Sequence, residues 1–453
     1  MSKVEPSTVK RFRACIASRS WAALLMIAGL TSAQAATWFV EPSVSGNLTV
    51  TNNGDFDANE TRKSDVILTV SPAIVFRGEG RRLRLNGALS LGAVTYFEGT
   101  QPSSIDPTGR ITANVEAIEK WLFLDADLSA TRSVENPLAP RLDEASSFNR
   151  QTVNTVRISP YIQRDLPSDH RLLIRSDNAW VETRGRDLPP TREYAARHAF
   201  QLSREPRPFG WALEAERRRD DRIDVGAGSV EWIDLARLRL RYAVNAQLAI
   251  GARGGYEKSF LFRGGETLSF AGAELLWRPS ERSRLEGFWE DRSFGDAWQL
   301  SFTHRSPFLA WDVRGGRDLT TFDQTALELP VTGDLAGLLD ASLRTRIVDP
   351  IERARAVEGF INSRGLPRTL NTPINVFTDQ VLVRTSRAAT VTWIGRRSTV
   401  ALSGFYQQDA TPTGDVFTAA IGGDLNLQQR AADLVYSVRA TNQSSISAGL
   451  GWT

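Results

Sequence analysis

The sequence has very few of the residues that carry thiol or histidine chemistry. Its 453 residues include one cysteine, Cys15, together with two methionines and three histidines. One cysteine cannot close a disulfide within the chain, and a zinc site built from thiolates needs several cysteines. A disulfide-stabilised fold and a cysteine metal site are therefore excluded.

Long uncharged apolar runs are missing after residue 35. Residues 1–35 contain five basic residues, the apolar run WAALLMIAGL and then the small residues of Ala33-Gln34-Ala35. This order is typical of a secretory signal peptide that is cleaved after Ala35, and the run is too short to cross a bilayer as a helix. We expect an exported chain, residues 36–453, without a membrane-spanning helix.

An excess of charge of one sign is also missing from residues 36–453, which carry 50 basic and 51 acidic residues. The isoelectric point of about 9.1 for the whole chain comes mostly from the signal peptide. Because the exported chain has no general basic surface, nucleic acid is not an expected partner.

What the chain has instead is a long alternation of apolar and polar side chains. In RRLRLNGALSLGAVTYF, residues 81–97, leucines such as Leu83 and Leu85 share one face, while Arg84 and Asn86 share the other. A strand in a soluble sheet usually has about five or six residues. The greater length of this alternation is typical of a tilted strand that crosses a bilayer.

The connections between such segments alternate in length along the chain. Short ones, such as residues 78–81 and 205–208, alternate with longer polar ones, such as residues 52–64 and 99–109. Outer-membrane barrels show this pattern, with short turns on the periplasmic side and longer loops outside. We therefore predict an all-β fold for residues 36–453, a transmembrane antiparallel up-and-down β-barrel of about 18 to 20 strands.

Charged residues alternate with apolar ones in several predicted strands, and a barrel surrounded by lipid must turn them towards its lumen. The predicted lumen-lining residues are Arg82, Arg84, Asp125, Asp127, Glu214, Glu216, Arg237, Arg239 and Arg241. Since arginine binds carboxylates and phosphates through a rigid fork, its rows could line a path for an acidic polymer. The alternative is that arginine–carboxylate pairs brace the wall, and the acidic residues in the same rows favour it.

Helical spacing replaces the alternation inside one long connection, residues 318–375. Two short helices are predicted there, and Asp349 is the expected N-cap of the second. The candidate constriction residues of that second helix are Pro350, Glu352, Arg353, Phe360 and Arg364. Spacing does not decide whether the loop folds into the lumen as a constriction or plug, or packs on the rim in a structural role.

Several segments of the sequence resemble those of one protein family. They are DPIERARAVEGFINSRGLP, residues 349–367, and the strand and turn phrases LFLDADLSA, ISPYIQR and LLWRPSERSRLE. In these motifs the chain resembles the PEP-CTERM system-associated outer-membrane β-barrel proteins, over most of residues 36–453. The resemblance implies a role at the outer membrane of a Gram-negative bacterium, in exporting or anchoring extracellular material at exosortase and exopolysaccharide loci. It implies no catalytic residues.

Enzyme chemistry has little support in the sequence. None of the histidines, His170, His198 and His304, shares a nearby serine or carboxylate in a recognisable catalytic arrangement. No nucleophile elbow, zinc-protease helix or P-loop motif is present. The acidic patch DFDANE, residues 55–60, lacks the spacing of a calcium-binding loop. We therefore expect no enzyme activity, no cofactor and no metal site.

The final segment, SSISAGLGWT, is the last predicted strand. Its alternation places Ile446, Leu450 and Trp452 outward. Outer-membrane barrels commonly end on an aromatic residue that the assembly machinery reads, whereas here Thr453 follows the tryptophan. We expect either a variant of that signal or a truncated chain.

The leading functional hypothesis is a porin-like passage or scaffold in the outer membrane, linked to exopolysaccharide export or PEP-CTERM protein sorting. Its expected partners are outer-membrane lipid, the outer-membrane assembly machinery, and exopolysaccharide or its export machinery. The alternative is a closed structural or adhesive barrel whose lumen is filled by salt bridges. An outer-membrane enzyme is the third class.

Overall fold

The computed structural model describes most of the exported chain. The described residues are 37–54, 62–134, 150–185, 190–222, 231–262, 265–306, 308–320, 335–343, 347, 349–364, 381–413, 425–441 and 444–452. The predicted signal peptide with its cleavage site at Ala35, the acidic patch of residues 55–60, Thr453 and parts of the 318–375 connection lie outside them.

Nineteen antiparallel strands form one sheet, and the registers join each strand to its neighbours along the chain. The strands are β1 (Thr37–Thr51), β2 (Asp65–Glu79), β3 (Leu83–Tyr96), β4 (Ser104–Ile118), β5 (Leu122–Val134), β6 (Arg150–Leu166), β7 (His170–Arg184), β8 (Thr191–Arg204), β9 (Phe209–Arg222), β10 (Glu231–Ala243), β11 (Leu248–Ser259), β12 (Thr267–Ser280), β13 (Ser283–Arg292), β14 (Gly295–Arg305), β15 (Leu309–Thr320), β16 (Leu382–Ile394), β17 (Ser398–Ala410), β18 (Asn426–Arg439) and β19 (Ser445–Trp452). The predicted all-β, up-and-down fold is confirmed, and the number of strands lies within the predicted range.

Two helices lie in the connection between β15 and β16. They are α1 (Leu335–Leu343) and α2 (Pro350–Arg364). The second begins as predicted, since Asp349 Oδ1 accepts a hydrogen bond from the backbone N–H of Glu352 at 2.8 Å. In the part of the chain that the structure describes, no helix is both long and apolar enough to span a membrane.

The side chains of the strands alternate between two very different surroundings. On β10, Leu238, Leu240 and Tyr242 are 47%, 54% and 43% exposed, while the side chains of the alternating Arg237 and Arg239 are only 14% and 16% exposed. A soluble protein places apolar side chains inside and charged ones outside, and this sheet does the reverse. We call the side with exposed apolar residues the outward face and the other side the inward face.

The alternation continues to the end of the sheet, and polar residues interrupt the outward face at some positions. Ile446 and Leu450 on β19 are exposed on the outward face, as predicted. On β7, Asn178 takes an outward position and donates through Nδ2 to Ser176 Oγ at 3.0 Å, while the Tyr194 hydroxyl of β8 donates to Asn178 Oδ1 at 2.7 Å. These neighbouring hydrogen bonds satisfy polar groups that an apolar row would leave without partners.

The two ends of the sheet differ in their connections. Turns of a few residues lie at one end, which we call the short-turn end. There Lys120, Ser168 and Asp169 adopt positive φ angles of 56°, 60° and 61°, as tight reversals of the chain require. The longer connections lie at the opposite, long-loop end, so odd-numbered strands run from the short-turn end to the long-loop end.

The sheet curls with its inward face inside. Arg218 on β9 and Asp318 on β15 form an ion pair at 3.4 Å, although their strands are six positions apart in the strand order. Near them, Ile233 of β10 packs in one apolar cluster with Leu319 of β15 and Val383 of β16. The inward face therefore encloses an interior at this end of the molecule.

Helix α2 contacts both ends of the strand order. The Arg355 guanidinium lies 5.7 Å from the ring centroid of Phe39 on β1, and α2 also contacts β18 and β19. Because a 15-residue helix is about 22 Å long, the two edge strands must lie within reach of one another. Within the described residues, no register pairs β1 with β19, and Val44 and Leu450 on these strands are 73% and 74% exposed.

Candidate functional site

A cluster of arginines and glutamates occupies the inward face of β9 to β13. Its members, the central cluster, are Glu214, Arg237, Arg239, Arg241, Arg253, Glu274 and Glu290. Strand alternation places these residues on one face, and the register of β9 with β10 sets Arg237 opposite Glu214. The cluster is therefore a direct product of the alternating sequence pattern.

Glu290 is the most enclosed member of the central cluster, with 0% of its side chain exposed. Arg237 Nη2 donates to Glu290 Oε2 at 2.9 Å, and Arg253 Nε forms an ion pair with Glu290 Oε1 at 2.9 Å. The Arg253 guanidinium also lies 3.7 Å from the ring centroid of Phe288, in a cation–π contact. A buried carboxylate is tolerated in a protein when charged partners compensate its desolvation in this way.

Glu214 and Glu274 connect the three arginines of β10. Arg237 Nη1 donates to Glu214 Oε2 at 3.1 Å, and Arg239 Nε donates to Glu274 Oε2 at 2.8 Å. Arg239 also pairs with Glu214, and Arg241 pairs with Glu274. Four of the predicted lumen-lining residues thus lie in one network, in which every guanidinium has a carboxylate partner.

A second network, the upper cluster, lies at the long-loop end. Its members are Arg197, Glu216, Arg218, Glu257, Arg292 and Asp318. Glu216 accepts hydrogen bonds from Arg197 Nη2 at 2.7 Å and from Arg218 Nε at 2.6 Å, and Asp318 accepts one from Arg292 Nη1 at 3.0 Å. Because Arg218 also pairs with Asp318, the upper cluster crosses the interior from β9 to β15.

The predicted residues of β5 belong to neither cluster. Asp125 accepts hydrogen bonds from Asn114 Nδ2 at 2.8 Å and from Arg175 Nη1 at 2.9 Å. Asp127, which is buried, accepts one from Arg110 Nε at 2.6 Å. Their partners lie on β4 and β7, so these carboxylates brace a different part of the wall.

Arg82 and Arg84 lie at the short-turn end. Arg82 is outside β3, in the turn that precedes it, and pairs at 2.9 Å with Glu119 of the neighbouring turn, both side chains being about half exposed. Arg84 is the second residue of β3 and pairs with Glu79 at 3.2 Å, with 72% of its side chain exposed. The alternation of residues 81–97 begins in a turn, which is why sequence spacing placed Arg82 in the strand.

The two helices form a compact unit, the helical hairpin. Arg353 joins them, because its Nε donates to Asp340 Oδ1 at 2.9 Å and its Nη1 donates to the carbonyl of Ile347 at 2.9 Å. Among the other candidate constriction residues, Glu352 is exposed and Phe360 is half-buried. Pro350 and Arg364 are the first and last residues of α2.

The helical hairpin packs on the inward face near the short-turn end. Leu335 and Leu339 of α1 and Ile361 of α2 are buried in one cluster with Ala401 of β17, and Val435 of β18 packs against it. The chain leaves β15 at the long-loop end, whereas these wall residues lie towards the opposite end. The helical hairpin therefore lies on the inward side of the sheet.

Sequence reasoning missed three members of the central cluster, Arg253, Glu274 and Glu290. Each is a charged residue at an inward position of a short alternating strand, so the alternation of β11 to β13 was a signal that could have found them. Their partners were not readable. Arg237 of β10 reaches Glu290 of β13 only because the sheet curls. The curvature of a sheet cannot be read from the spacing of residues in a sequence.

Two of the histidines have serine partners. Ser176 Oγ lies 3.0 Å from His198 Nδ1, and Ser283 Oγ lies 2.8 Å from His304 Nδ1. In the described residues no carboxylate hydrogen-bonds either histidine, so neither pair is a catalytic triad. In the same part of the chain, no group of three or more histidine, cysteine, aspartate or glutamate side chains is arranged to hold a metal ion.

No family model matches the chain, and no curated protein matches it. Among solved structures, the siderophore receptor PirA from Acinetobacter baumannii is 8% identical with a TM-score of 0.41, over 92% of this chain and 76% of that chain. A variant of the ferric enterobactin receptor PfeA from Pseudomonas aeruginosa is 7% identical with a TM-score of 0.41, over 91% and 74%. The FrpB iron transporter from Neisseria meningitidis is 8% identical with a TM-score of 0.41, over 88% and 67%. Likenesses this remote assign neither a substrate nor a partner to this chain.

Proposed function

We propose that the chain is an outer-membrane β-barrel whose outward face contacts lipid. Large apolar side chains are exposed on that face throughout the sheet, as with Val44 at 73%, Ile105 at 72% and Leu450 at 74%. Apolar surface of this extent makes a protein associate or aggregate in water. Hydrocarbon accepts it, because strands paired in a sheet satisfy their backbone groups without water.

Two rows of outward aromatic side chains support the same proposal. At the short-turn end the exposed aromatic residues include Trp38, Tyr242, Trp277, Trp311 and Trp393. Towards the long-loop end they are Trp180, Tyr256 and Trp289. Tryptophan and tyrosine are enriched where a membrane meets water, so these rows would mark the two borders of the hydrocarbon layer.

For the interior, the geometry best supports a plugged passage. The single observation that carries this function is the position of the helical hairpin, which is buried against Ala401 on the inward face. Such a unit has few wall contacts compared with the strand ladders, so it can open locally while the sheet stays intact. The passage would be closed at rest and open when the hairpin moves.

The resemblance to the PEP-CTERM system-associated barrels suggests the cargo and the partners. We propose exopolysaccharide, or a protein of that sorting system, as the exported material, and the export machinery of the same locus as the partner. The chain would act in the outer membrane of a Gram-negative bacterium, after insertion by the assembly machinery.

A closed scaffold is the second candidate, and the upper cluster favours it. The ion pair between Arg218 and Asp318 crosses the interior, so it would have to break before any polymer could pass. In this reading the charged interior only braces the wall, and the long loops make the functional contacts. The Ser–His pairs lack a third catalytic member within the described residues and do not support an enzyme.

Conductance in planar lipid bilayers separates the two candidates. The wild-type protein should be nearly silent, whereas a variant in which residues 335–364 are replaced by a short flexible linker should show stable open steps. The matched control shortens another long-loop connection, residues 135–149, and should stay as silent as the wild type. If the hairpin deletion is also silent although the protein has inserted, the closed scaffold is the correct function.

A further inference from the structure

Three arginines of the second half of the sheet take outward positions at a common height. Each lies six residues from an exposed aromatic side chain of its own strand. The pairs are Arg317 with Trp311 on β15, Arg387 with Trp393 on β16, and Arg430 with Tyr436 on β18. Because an even spacing keeps strand residues on one face, the three arginines share the outward face with the exposed apolar side chains. We call the band of these apolar side chains around the sheet the apolar belt.

The registers bring these arginines together with two aromatic residues. Arg387 lies opposite Tyr406 of β17, which lies opposite Arg430, and Arg317 lies opposite Trp298 of β14. Neighbouring strands are about 4.8 Å apart, so Arg387 and Arg430 are separated by about 10 Å at the backbone. We call Trp298, Arg317, Arg387, Tyr406 and Arg430 the arginine patch.

Trp298 lies flat across the neighbouring strand at this patch. A Cβ atom on Gly315 would come within 3.0 Å of the Trp298 ring, so glycine leaves the space that the indole occupies. The Arg387 guanidinium lies 6.0 Å from the centroid of the same ring. The aromatic ring thus holds one guanidinium near the border of the apolar belt.

None of the three arginines of the patch forms an ion pair with a carboxylate within the described residues. Arg387 and Arg430 are exposed, and Arg317 donates to the backbone carbonyls of Asp296 and Phe294 at 2.5 and 3.1 Å.

At the long-loop end of β7 to β10, outward arginines are paired with acids. Arg192 pairs with Glu182 at 3.2 Å, and Arg219 pairs with Asp221 at 3.3 Å. Arg217 lies 3.5 Å from Asp234. In the described part of the sheet, the patch thus brings together three positive charges that form no ion pair. The neighbouring outward acid of β14, Asp296, instead accepts a hydrogen bond from Trp289 Nε1 at 2.9 Å.

The height of the patch places it beside the apolar belt. Six residues extend about 20 Å along a strand and about 15 Å along the membrane normal at a tilt of about 40°, whereas the apolar band of such barrels is about 25 Å tall. On β1, by contrast, the outward row stays apolar from Trp38 to Val50. On β15, β16 and β18 the outward apolar row is therefore shorter than on β1 and ends at an arginine. The long arginine side chains allow the charged ends to reach towards lipid head groups.

We propose that the arginine patch binds the phosphate groups of a glycolipid in the outer leaflet. Guanidinium groups bind phosphate oxygens bidentately, and the apolar side chains directly below, such as Leu402 and Leu434, offer a surface to acyl chains. A ligand with phosphates above acyl chains matches this order of charge and apolar surface. The inference rests on the outer-membrane location in the proposed function but not on the plugged passage.

The test compares lipid retention in nanodiscs of phosphatidylcholine that contain bisphosphorylated lipid A. The patch variant combines Arg317→Gln, Arg387→Gln and Arg430→Gln. The matched control combines Arg192→Gln, Arg217→Gln and Arg219→Gln, which removes the same charge from paired outward arginines. By native mass spectrometry the patch variant should retain lipid A about tenfold less than the wild type, and the control should retain it equally.

Two further measurements test whether the phosphate groups and the individual arginine account for the binding. Lipid A without phosphate groups should bind the wild type as weakly as lipid A with phosphates binds the patch variant. Single Arg430→Gln should show a smaller loss, and it cannot act through misfolding because the side chain is exposed.

Equal retention by the patch variant, equal loss in the control, or equal binding of phosphate-free lipid A would overturn the inference. Wild-type chains that fail to insert into nanodiscs would overturn the outer-membrane proposal as well. The two failures are therefore distinguishable.

Discussion

Glu290 shows that a buried inward charge in this protein needs oppositely charged partners. Its carboxylate has no exposed surface and is shared by Arg237 and Arg253. Desolvation of three charged groups is costly, and their mutual attraction offsets that cost only while all three are present. The stability of the buried Glu290 charge thus depends on partners that other strands supply.

Replacing Glu290 with glutamine should destabilise the folded barrel strongly. The substitution leaves Arg237 and Arg253 buried with one negative charge fewer, and breaking a buried pair costs about 3–5 kcal/mol. Urea unfolding in lipid vesicles, followed by tryptophan fluorescence, measures the free energy of unfolding.

The control is Glu119→Gln, which breaks the half-exposed pair with Arg82. It should change the free energy of unfolding by less than about 1 kcal/mol. If both substitutions have the same small effect, the central cluster does not stabilise the wall.

At the scale of elements, the helical hairpin is held by the hydrogen bonds of one arginine and by apolar packing against the wall. Arg353 of α2 reaches Asp340 of α1 and the carbonyl of Ile347, while Leu339 and Ile361 are buried against the wall. The N-cap Asp349 and the helical stripe could be read from the sequence because they are local patterns. The side of the wall on which the hairpin lies could not, because it depends on contacts with strands far away in the chain.

Arg353→Gln should loosen the hairpin without unfolding the sheet. The variant loses charge-assisted hydrogen bonds worth about 1.5–3 kcal/mol, so local opening should become about tenfold more frequent or more. Trypsin cleavage after Arg355 in the folded protein measures that opening. Glu352→Gln changes an exposed side chain next to it and should leave the cleavage rate near that of the wild type. Equal rates for Arg353→Gln and wild type would mean that Arg353 does not hold the hairpin.

At the scale of the whole molecule, curvature decides which charges meet. Arg218 and Asp318 occupy ordinary inward positions of β9 and β15, and nothing in their spacing marks them as partners. They meet because the sheet turns its charged face inside and its apolar face outside. The same curl sets the edge strands β1 and β19 within reach of α2.

A short bis-maleimide should join Arg218→Cys to Asp318→Cys in the folded protein, because the two inward side chains face each other. The predicted exported chain contains no other cysteine, so the reaction has no background. The control pairs Arg218→Cys with Asp312→Cys, which lies about 20 Å further along β15 and should not be joined. Equal cross-linking of both pairs would contradict the curl.

The sequence by itself determined the face that most strand residues occupy, the approximate number of strands and the start of α2. These features are local, since a period of two residues or a capping side chain acts over a few positions. Arg82, which is predicted in a strand, lies where the alternating pattern runs on into a turn, and residues 104–109, which are predicted in a loop, belong to β4. Only the tertiary structure decided that Arg237 meets Glu290, that Arg218 reaches Asp318 and that the hairpin lies inside. Those contacts depend on how the sheet curls and where a long loop packs, and the free energy that selects them comes from residues far apart in the chain.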